Sequence, residues 1–532
     1  MSPSIPASSG TRGAPAAIAE PSADRALLEV KHRGLLLAAV MTVAICQFLD
    51  ATIANVALPH MKVGIGASDD SISWVLTSYI MAGAIFMPMT GWLSDRLGSR
   101  NLFIGAAVLF LIASAACGAA TSLTEMVIFR AFQGMAAAFM GPMTQTIMFD
   151  VSPPSKQGAT MSQFGMIVMV APISGPFLGG FLTEYLSWRW VYYVNLPLGI
   201  PALIVLWWLL PSRPLEGRRL DLFGFASIGL ALGALQLVLD RGQSKDWLSS
   251  KEIVTEGIIA LSAFWIYLVH TRTAREPLFN RGLFANPNFL VGLAFMTVLG
   301  LTNVALSAVL PTMFQALYGY PVMLSGLLMA PRGFGVIVTS QITSMLLKRV
   351  DYRYLITTGY IVVAYSIWMM TRWSLDMDYW PIITASFVQG LGLGLVFAPM
   401  NLVAFATIAP ELRPDGSSLL ALFRNLGGSL GISAIVTMLA RNQQISHADL
   451  AASVTRTSVV PGVNLPALIG RVPGIGAPLM EMINGEVSRQ AAMIAYLDNF
   501  KVLAIVLLVI APFPFLLRKS SPLDAGQHAI LE

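Results

Sequence analysis

One segment near the start of the chain decides the fold class. Residues 36–59 read LLAAVMTVAICQFLDATIANVALP, and Asp50 is the only charged side chain among them. An α-helix rises about 1.5 Å per residue, so about twenty apolar residues cross the roughly 30 Å hydrocarbon core of a bilayer. We therefore predict a membrane-spanning helix that begins after Lys31 and Arg33. Because this segment is longer than a signal-peptide core and lacks a small-residue cleavage site, we expect it to be uncleaved.

The composition of the whole chain agrees with this prediction. Of its 532 residues 55% are hydrophobic and only 11% are charged, whereas soluble proteins carry about 25% charged residues. Apolar runs of about twenty residues recur, and the short alternating strands of a membrane barrel do not fit them. The net charge of +5 points to basic cytoplasmic loops rather than to nucleic acid. We expect an all-α polytopic membrane protein that does not bind nucleic acid.

The apolar runs predict fourteen spans, and their loops fix an orientation. One side of the membrane receives most of the basic side chains, and the positive-inside rule makes that side cytoplasmic, together with both termini. Its loops contain Arg96, Arg100, Lys156, Arg213, Arg218, Arg219, Arg272, Arg275, Arg281, Lys348, Arg349, Arg353, Arg413, Arg518 and Lys519. The predicted spans are 36–59, 72–92, 101–120, 124–146, 159–182, 190–210, 222–240, 253–270, 289–314, 322–345, 355–371, 380–403, 416–440 and 498–517.

These spans divide the chain into five expected regions. They are a disordered cytoplasmic tail at 1–33, an N-terminal six-helix half at 34–212, two inserted linker helices with their loops at 213–285, a C-terminal six-helix half at 286–517 that includes an extracytoplasmic loop at 441–496, and a cytoplasmic tail at 518–532. The turn GWLSDRLGSR at 91–100 and the turn KRVDYR at 348–353 both keep two arginines four positions apart. This echo favours homologous halves, although any short cytoplasmic turn collects arginines.

Four motifs carry a family resemblance. The turn at 91–100 and the sequence FRAFQG at 129–134 resemble signatures of the major facilitator superfamily. The sequence APISGPFLGG at 171–180 resembles its antiporter motif, and LDATIANVALP at 49–59 resembles the first span of fourteen-spanner drug:proton antiporters of the EmrB and QacA type. The resemblance implies the major facilitator fold, with two six-helix halves and two inserted helices.

Within that branch the chain is most similar to EmrB-like permeases. The sequences that carry this similarity are WRWVYYVNLP at 188–197, LDRG at 239–242 followed by Asp246 and Trp247, and RNLGGS at 424–429. One departure is Lys348, which stands where alignment with Asp95 would require an acid, so we expect no gating role in the second turn.

The resemblance implies a proton-coupled antiporter that exports hydrophobic or amphipathic drugs or toxic compounds from the cytoplasm by alternating access. Such a protein is a multi-pass component of the bacterial inner membrane, contributes to drug resistance, is not an enzyme and needs no cofactor, because the proton gradient supplies the energy. The implied partners are hydrophobic small molecules, protons and membrane lipids. An EmrA-like periplasmic adaptor and a TolC-like outer-membrane channel are further candidates, with the 441–496 loop as docking surface.

Other functions remain open at this point. The main alternative is an exporter or importer of one metabolite or siderophore on the same fold, although the antiporter motif argues against import. A channel or a membrane enzyme would need symmetric rings or clustered catalytic groups, which the sequence does not show. It also contains no phosphate-binding loop of the GxxxxGK[ST] type, and its five histidines have no metal-ligand spacing.

We expect Asp50 to carry the proton coupling. An unpaired charge inside an apolar span is costly, so a carboxyl there either binds a proton or finds a partner. Asp50 would take up a proton from the acidic side and release it toward the cytoplasm. Gln47 lies one helical turn earlier on the same face. The alternative is an aspartate that only holds helices together through hydrogen bonds.

Three arginines are also placed inside spans, where they keep their charge and need acceptors or water. The resemblance implies that Arg130 assists proton transfer, with a purely structural hydrogen-bonding role as the alternative. For Arg332 and Arg424 we favour a structural role.

Two motifs are expected to control conformational change. In the 91–100 turn, glycines permit tight backbone geometry while the charged residues form ion pairs or cap a helix end in one state only. In the fifth span, small residues let helices approach and proline allows a bend. A solvated turn that only sets topology, and ordinary helix packing, are the respective alternatives. The expected gating residues are Gly91, Asp95, Arg96, Gly98, Arg100, Gly175, Pro176, Gly179 and Gly180.

The substrate cavity is expected to take apolar, aromatic and a few polar side chains from spans of both halves. The candidates are Gln47, Trp74, Tyr79, Phe164, Met169, Asn303, Tyr365 and Gln389.

Overall fold

A computed structural model describes residues 24–213, 217–347, 349–453 and 476–517. These residues are helical and contain no strand, so the expectation of an all-α protein is confirmed for the described part of the chain. The long helices are α1 Arg33–Ile65, α2 Trp74–Leu97, α3 Ser99–Ala119, α4 Leu123–Asp150, α5 Pro154–Tyr185, α6 Trp190–Leu209, α7 Leu222–Arg241, α8 Lys251–Thr273, α9 Pro287–Tyr318, α10 Val322–Leu346, α11 Tyr352–Met370, α12 Tyr379–Phe405, α13 Arg413–Ser453 and α14 Gly476–Ile510.

Twelve helices in the described residues are long and apolar enough to cross a membrane. The remaining two long helices, α4 and α11, occupy the places of the predicted fourth and eleventh spans. Helix α4 carries Arg130, Gln133 and Gln145, which lower its mean hydropathy, but all three side chains are buried. A helix surrounded by other helices does not need an apolar face toward lipid.

Two groups of helices pack in the same order. Helix α1 packs on α5, α2 on α4, and α3 on α4. Eight helices later, α9 packs on α13, α10 on α12, and α11 on α12. We call α1–α6 the N-terminal group and α9–α14 the C-terminal group. This recurrence is the arrangement expected when the halves are repeats.

Helices α7 and α8 pack on each other, and α7 lies against both groups. The Thr77 hydroxyl of α2 donates to Asp240 of α7, and the Ser429 hydroxyl of α13 lies 3.0 Å from the Gln236 Oε1 of α7 that it donates to. Helix α7 therefore bridges the two groups along one side.

The two groups also meet directly at one end of the bundle, where α1 begins and α4 ends. We call this the basic end, because Arg33, Arg213 and Arg413 lie there. Here the hydroxyls of Thr146 and Ser417 are 3.0 Å apart. The rings of Phe149 and Phe405 pack with their centroids 4.9 Å apart.

Helices α13 and α14 extend into the segment expected to form a long loop. Helix α13 has 41 residues and α14 has 35, which is longer than the about twenty residues that a span requires. Residues 454–475, in the middle of the expected loop, lie outside the described residues, as do 1–23 and 518–532 of the expected tails and Lys348 of the second turn.

Candidate functional site

Asp50 lies in the middle of α1 and its side chain is fully buried. Its Oδ2 is 2.6 Å from the Arg130 Nη1 of α4 in an ion pair. Its Oδ1 accepts hydrogen bonds from Gln133 Nε2 at 2.9 Å and from Asn195 Nδ2 at 3.1 Å. A buried carboxylate is tolerated when an opposite charge and further donors satisfy its oxygens. Three donors from α4 and α6 do so here.

Arg130 is held in place by several contacts besides Asp50. Its Nη1 also donates to Gln133 Oε1 at 2.9 Å, and its Nε donates to the Val75 carbonyl oxygen at 3.1 Å. Its guanidinium carbon lies 4.1 Å from the centroid of the Tyr79 ring, a favourable cation–π geometry. Tyr79, predicted to line the cavity, packs against this ion pair.

A second layer connects the ion pair to α3. Asn195 Nδ2 also donates to Ser114 Oγ at 3.0 Å, and Ser114 Oγ donates to the Tyr192 carbonyl oxygen at 2.9 Å. Asn195 Oδ1 is buried and has no hydrogen-bond partner. We call Asp50, Arg130, Gln133, Asn195 and Ser114 the Asp50 cluster.

The sequence predictions named only two members of this cluster. Gln133 and Asn195 lie inside quoted motifs, and Gln133 is three residues after Arg130, on the same helix face. A buried amide in an apolar span was the signal that could have identified both residues. Ser114 has no such signal, because an isolated serine is common in membrane helices.

The glycine motif of α5 packs against α1 close to Asp50. A side chain on Gly175 would overlap Thr52, so only glycine allows this approach. The Thr52 hydroxyl donates to the Pro172 carbonyl oxygen at 3.0 Å. Pro176 has no N–H to bond that oxygen, and Thr52 takes over this role.

The last two glycines of the motif face different neighbours. Gly179 lies against the Ile53 carbonyl oxygen of α1, at 2.8 Å from an added Cβ, whereas Gly180 meets Val322 of α10 at 3.8 Å. The motif thus joins the Asp50 helix on one side to the C-terminal group on the other, a position that suits a hinge or seal.

The 91–100 turn contacts the C-terminal group directly at Gly91 and is linked to it at Asp95 through Arg218. A side chain on Gly91 would overlap the Asp415 carboxylate at the start of α13. Arg218, which follows α6, links the two sides: its Nη1 is 2.7 Å from Asp415 Oδ2 and 3.4 Å from Asp95 Oδ2. Partial burial opposes the charge of Arg218, but the two carboxylates outweigh it and hold the pKa of Arg218 above its usual value. Neither Arg218 nor Asp415 was among the predicted gating residues.

The predicted arginines of the turn make local contacts. Arg96 lies over the Trp92 ring, 5.6 Å from its centroid, and Arg100 lies 5.7 Å from the centroid of Trp207 in α6. Gly98 connects α2 to α3 with a φ of +84°, a conformation that favours glycine. Asp95, by contrast, forms an ion pair with Arg218, and Arg218 also binds Asp415 of the C-terminal group.

A second ionic link lies beside the first at the basic end. Asp150, the last residue of α4, is buried and accepts from Arg213 Nε at 2.5 Å and Nη2 at 2.6 Å. Arg413 of α13 lies 3.2 Å from the same carboxylate, and Arg213 Nη1 donates to the Pro410 carbonyl oxygen at 2.9 Å. Bidentate arginine pairs of this kind fix geometry as well as charge. The linker after α6 therefore holds both groups together at this end.

Several predicted cavity residues do meet between the groups. Phe164 packs between Phe48 and Phe397, with centroid distances of 6.4 and 5.8 Å. Asn303 of α9 donates to the Met169 sulfur of α5 at 3.4 Å. Two further candidates are also inside the bundle: Gln47, whose amide lies beside Gly141, and Gln389, which is buried.

Two predicted cavity residues lie elsewhere. Tyr365 of α11 is 59% exposed on the outer surface of the bundle. Trp74 is at the end opposite the basic end, with the Arg241 guanidinium 5.6 Å from its ring centroid. Aromatic character alone does not tell a cavity residue from one that faces lipid or the interface, and the sequence offered no other signal.

Residues 40–432 match the profile of the family described as Major Facilitator Superfamily. The chain is 32% identical to "Multidrug export protein EmrB" of Escherichia coli (strain K12), over 88% of this chain and 93% of that protein. It is 31% identical to "Fatty acid resistance protein FarB" of Neisseria gonorrhoeae, over 91% of this chain and 95% of that protein.

Solved structures of low sequence identity show the same fold. A double-tryptophan mutant of XylE matches with a TM-score of 0.59 at 12% identity, covering 95% of this chain and 100% of its own. The human organic anion transporter MFSD10 matches with a TM-score of 0.53 at 13% identity, covering 89% and 99%.

The resemblance seen in the motifs is confirmed by these relatives over most of the chain. With its apolar helices, the chain is a multi-pass transporter of the bacterial inner membrane rather than an enzyme. It belongs to the Major Facilitator Superfamily, in the EmrB-like branch.

Proposed function

We propose that this protein is a proton-coupled antiporter that exports hydrophobic or amphipathic compounds from the cytoplasm by alternating access. The proposal includes fourteen spans, made by the twelve apolar helices together with α4 and α11, and places both termini in the cytoplasm. The name of the EmrB relative supports multidrug export.

The observation that carries the proposal is the Asp50 cluster. In the described state the Asp50 carboxylate neutralises Arg130 in a fully buried position. A proton on Asp50 would remove that negative charge and leave Arg130 as a buried cation without a counter-ion, which is strongly unfavourable. Protonation would therefore favour a different arrangement of α1 and α4, and this is what coupling a proton to a conformational change requires.

The cluster also contains an acceptor for that proton. A protonated carboxyl becomes a hydrogen-bond donor, whereas the carboxylate can only accept. Asn195 donates its amide nitrogen to Asp50 and leaves its Oδ1 without a partner. Rotation of this amide would present Oδ1 to the new O–H. Asn195 would thus bind both protonation states of Asp50.

The contacts between the groups support alternating access. The basic end is closed by the Arg218 and Arg213 links. If the basic loops face the cytoplasm, the described state is closed on that side. Gly175 and Gly180 place α5 between the Asp50 helix and α10, so a shift of α1 would reach the C-terminal group through α5.

The energy source follows from the same scheme. One proton that moves inward releases about 2.3 kcal/mol per 100 mV of membrane potential and about 1.4 kcal/mol per pH unit. Such a cycle needs no cofactor. We also propose that a periplasmic adaptor and an outer-membrane channel receive the exported compound, with the extended ends of α13 and α14 as the docking surface.

The decisive experiment measures proton movement and transport in the same vesicles. Proteoliposomes that contain the pH dye pyranine are exposed to ethidium, Nile red and 1-anilinonaphthalene-8-sulfonate, which are cationic, neutral and anionic. In the wild type we expect uphill transport of at least one probe under an imposed pH gradient, together with proton counter-movement. Asp50→Asn should lose this uphill transport by about a hundredfold and retain exchange of labelled for unlabelled probe.

Asp498→Asn serves as the matched control, because Asp498 is an exposed carboxylate that pairs with Lys501 outside the cluster. It should behave like the wild type. Uphill transport by Asp50→Asn, or wild-type transport that persists after an uncoupler collapses the gradient, would contradict the proposal. A single metabolite as the transported compound would appear as failure of all three probes.

A further inference from the structure

The C-terminal group contains a buried arginine without a carboxylate. Arg332 of α10 is 1% exposed, and its Nη2 donates to the Ser307 hydroxyl of α9 at 2.7 Å. Its Nε and Nη1 are buried and have no hydrogen-bond partner. Among the described residues no acidic side chain forms an ion pair with it. Two strong donors therefore remain unused inside the bundle.

A second unsatisfied side chain lies on the helix that touches Arg332. Gln389 of α12 is buried, and neither its Nε2 nor its Oε1 has a partner. The next residue, Gly390, packs directly against the Arg332 carbonyl oxygen, so the two helix backbones are in contact at this level. Buried polar groups are normally paired, and two neighbouring exceptions need an explanation.

These groups lie where the N-terminal group meets the C-terminal group. Ser307, which binds Arg332, is one helical turn after Asn303, which reaches Met169 of α5. Arg424 of α13 also faces this region, because its guanidinium carbon is 5.4 Å from the centroid of the Phe48 ring of α1. It too forms no ion pair in the described part of the chain. Two uncompensated positive charges thus border the contact between the groups.

Uncompensated charge inside a membrane protein is expensive and is kept where it has a function. The guanidinium group presents parallel donors that match the two oxygens of a carboxylate. A ligand that brings such oxygens would satisfy the unused donors of Arg332 and the amide nitrogen of Gln389 together. An organic cation would add a third positive charge, and a neutral compound would leave the donors unsatisfied.

We propose that Arg332, Ser307 and Gln389 form a subsite for the acidic head group of an amphipathic anion, with the apolar part lying against Phe48 and Phe164. This assignment rests on the proposed transport function and specifies its substrate class. Arg424 supplies additional positive potential above Phe48. This proposal gives Arg332 and Arg424 a role in binding, whereas the sequence analysis favoured a structural role for both.

Three probes with one apolar part and different head groups test the subsite. They are 1-pyrenebutyrate, 1-pyrenebutanol and the pyrenebutyl trimethylammonium ion, which are anionic, neutral and cationic at pH 7.5. Their binding to the full-length protein in nanodiscs is measured by the change in pyrene fluorescence, with empty nanodiscs as blank. The wild type should bind pyrenebutyrate at least tenfold more tightly than either other probe.

Variants of Arg332 separate charge from packing. Arg332→Gln should weaken pyrenebutyrate binding about tenfold and leave pyrenebutanol binding within twofold. Arg332→Lys should recover part of the loss, because it restores the charge but not the paired donors. Arg372→Gln, which removes an exposed arginine after α11, should match the wild type.

Equal wild-type affinities for the three probes would overturn the subsite, and so would an Arg332→Gln variant that loses pyrenebutyrate and pyrenebutanol alike. Binding in nanodiscs needs no proton gradient. Failure of charge selectivity therefore contradicts the subsite alone, whereas uphill transport by Asp50→Asn contradicts the proposed antiport and leaves the binding result standing.

Discussion

The two helix groups treat a buried arginine in opposite ways. In the N-terminal group Arg130 has a carboxylate, an amide oxygen and a backbone carbonyl as partners. In the C-terminal group Arg332 has one hydroxyl and two unused donors. Both arginines are almost completely buried, so exposure to water does not explain the difference.

The contrast assigns different tasks to the groups. A charge with an internal counter-ion changes its environment only when that counter-ion changes, as it would under the proposed protonation of Asp50. A charge without a counter-ion can instead pair with a ligand of opposite charge. The N-terminal group is therefore suited to respond to protons, and the C-terminal group to bind the transported compound.

The largest expected effect is on stability, and it comes from breaking the Asp50 pair. Arg130→Gln leaves a buried carboxylate without its counter-ion, and such changes cost about 3–5 kcal/mol of unfolding free energy. The Asp50→Asn, Arg130→Gln double variant should recover much of this loss, because no buried charge remains. Thermal unfolding of purified protein in nanodiscs measures both.

Arg332→Gln is the matched change in the other group. It removes a cation that has no ionic partner and two unsatisfied donors, so we expect an unfolding free energy equal to or above that of the wild type. Equal destabilisation by Arg130→Gln and Arg332→Gln would remove the distinction between the two groups.

The second prediction concerns the contact between Gly91 of α2 and Asp415 of α13, which joins the two groups at the basic end. Gly91→Ala places a methyl group against the Asp415 carboxylate and should oppose closure of the basic end. A shift of about 1.4 kcal/mol against the closed state corresponds to a tenfold fall in the ratio of closed to open molecules. Distances between spin labels on the basic ends of α2 and α13 should lengthen, and probe transport should fall by a similar factor.

Arg218→Gln tests the same closure without a steric clash, because it removes the cation shared by Asp95 and Asp415. It should shift the spin-label distances in the same direction as Gly91→Ala. Unchanged distances in both variants would show that the ionic links do not hold the closed end.

Apolar runs and their spacing were sufficient to predict the helices, because lipid forces the backbone of each span to satisfy its own hydrogen bonds. The positions of Asp50 and Arg130 could also be predicted, since charge in an apolar run is conspicuous. Their mutual contact could not, because α1 and α4 are far apart in sequence and only the packing of α1, α4 and α6 brings them together.

Long-range partners account for the residues that the sequence predictions missed. Arg218 and Asp415 lie 197 positions apart, and the sequence analysis placed Arg218 in a cytoplasmic loop without naming Asp415. The lack of an ionic partner for Arg332 is even harder to predict, because a sequence shows which charges exist but not which remain unpaired. Tyr365 shows the converse limit, since its aromatic ring indicated a cavity position, whereas its side chain is 59% exposed in the structure.

A third, smaller effect is expected at Arg424. It ranks the contributions of the two arginines of the C-terminal group, Arg332 and Arg424, to the binding of an anion. Arg424 is partly buried, and its guanidinium lies over the Phe48 ring. Arg424 acts on a bound anion only through its positive potential, without a direct hydrogen bond. Arg424→Gln should therefore weaken pyrenebutyrate binding about threefold, less than Arg332→Gln. A larger loss than that of Arg332→Gln would move the subsite to α13.

The smallest effect is expected at Tyr365, and it tests whether the cavity is bounded as the structure indicates. Tyr365→Ala removes a ring that is 59% exposed on the outer surface, so binding of all three pyrene probes should stay within twofold of the wild type. Phe164→Ala removes a ring that packs between Phe48 and Phe397, and should weaken all three probes alike because it takes apolar contact from their shared pyrene. If Tyr365→Ala weakened binding as much as Phe164→Ala, α11 would have to turn that face inward in the binding state, and the assignment of the substrate to the contact between the two groups would be wrong.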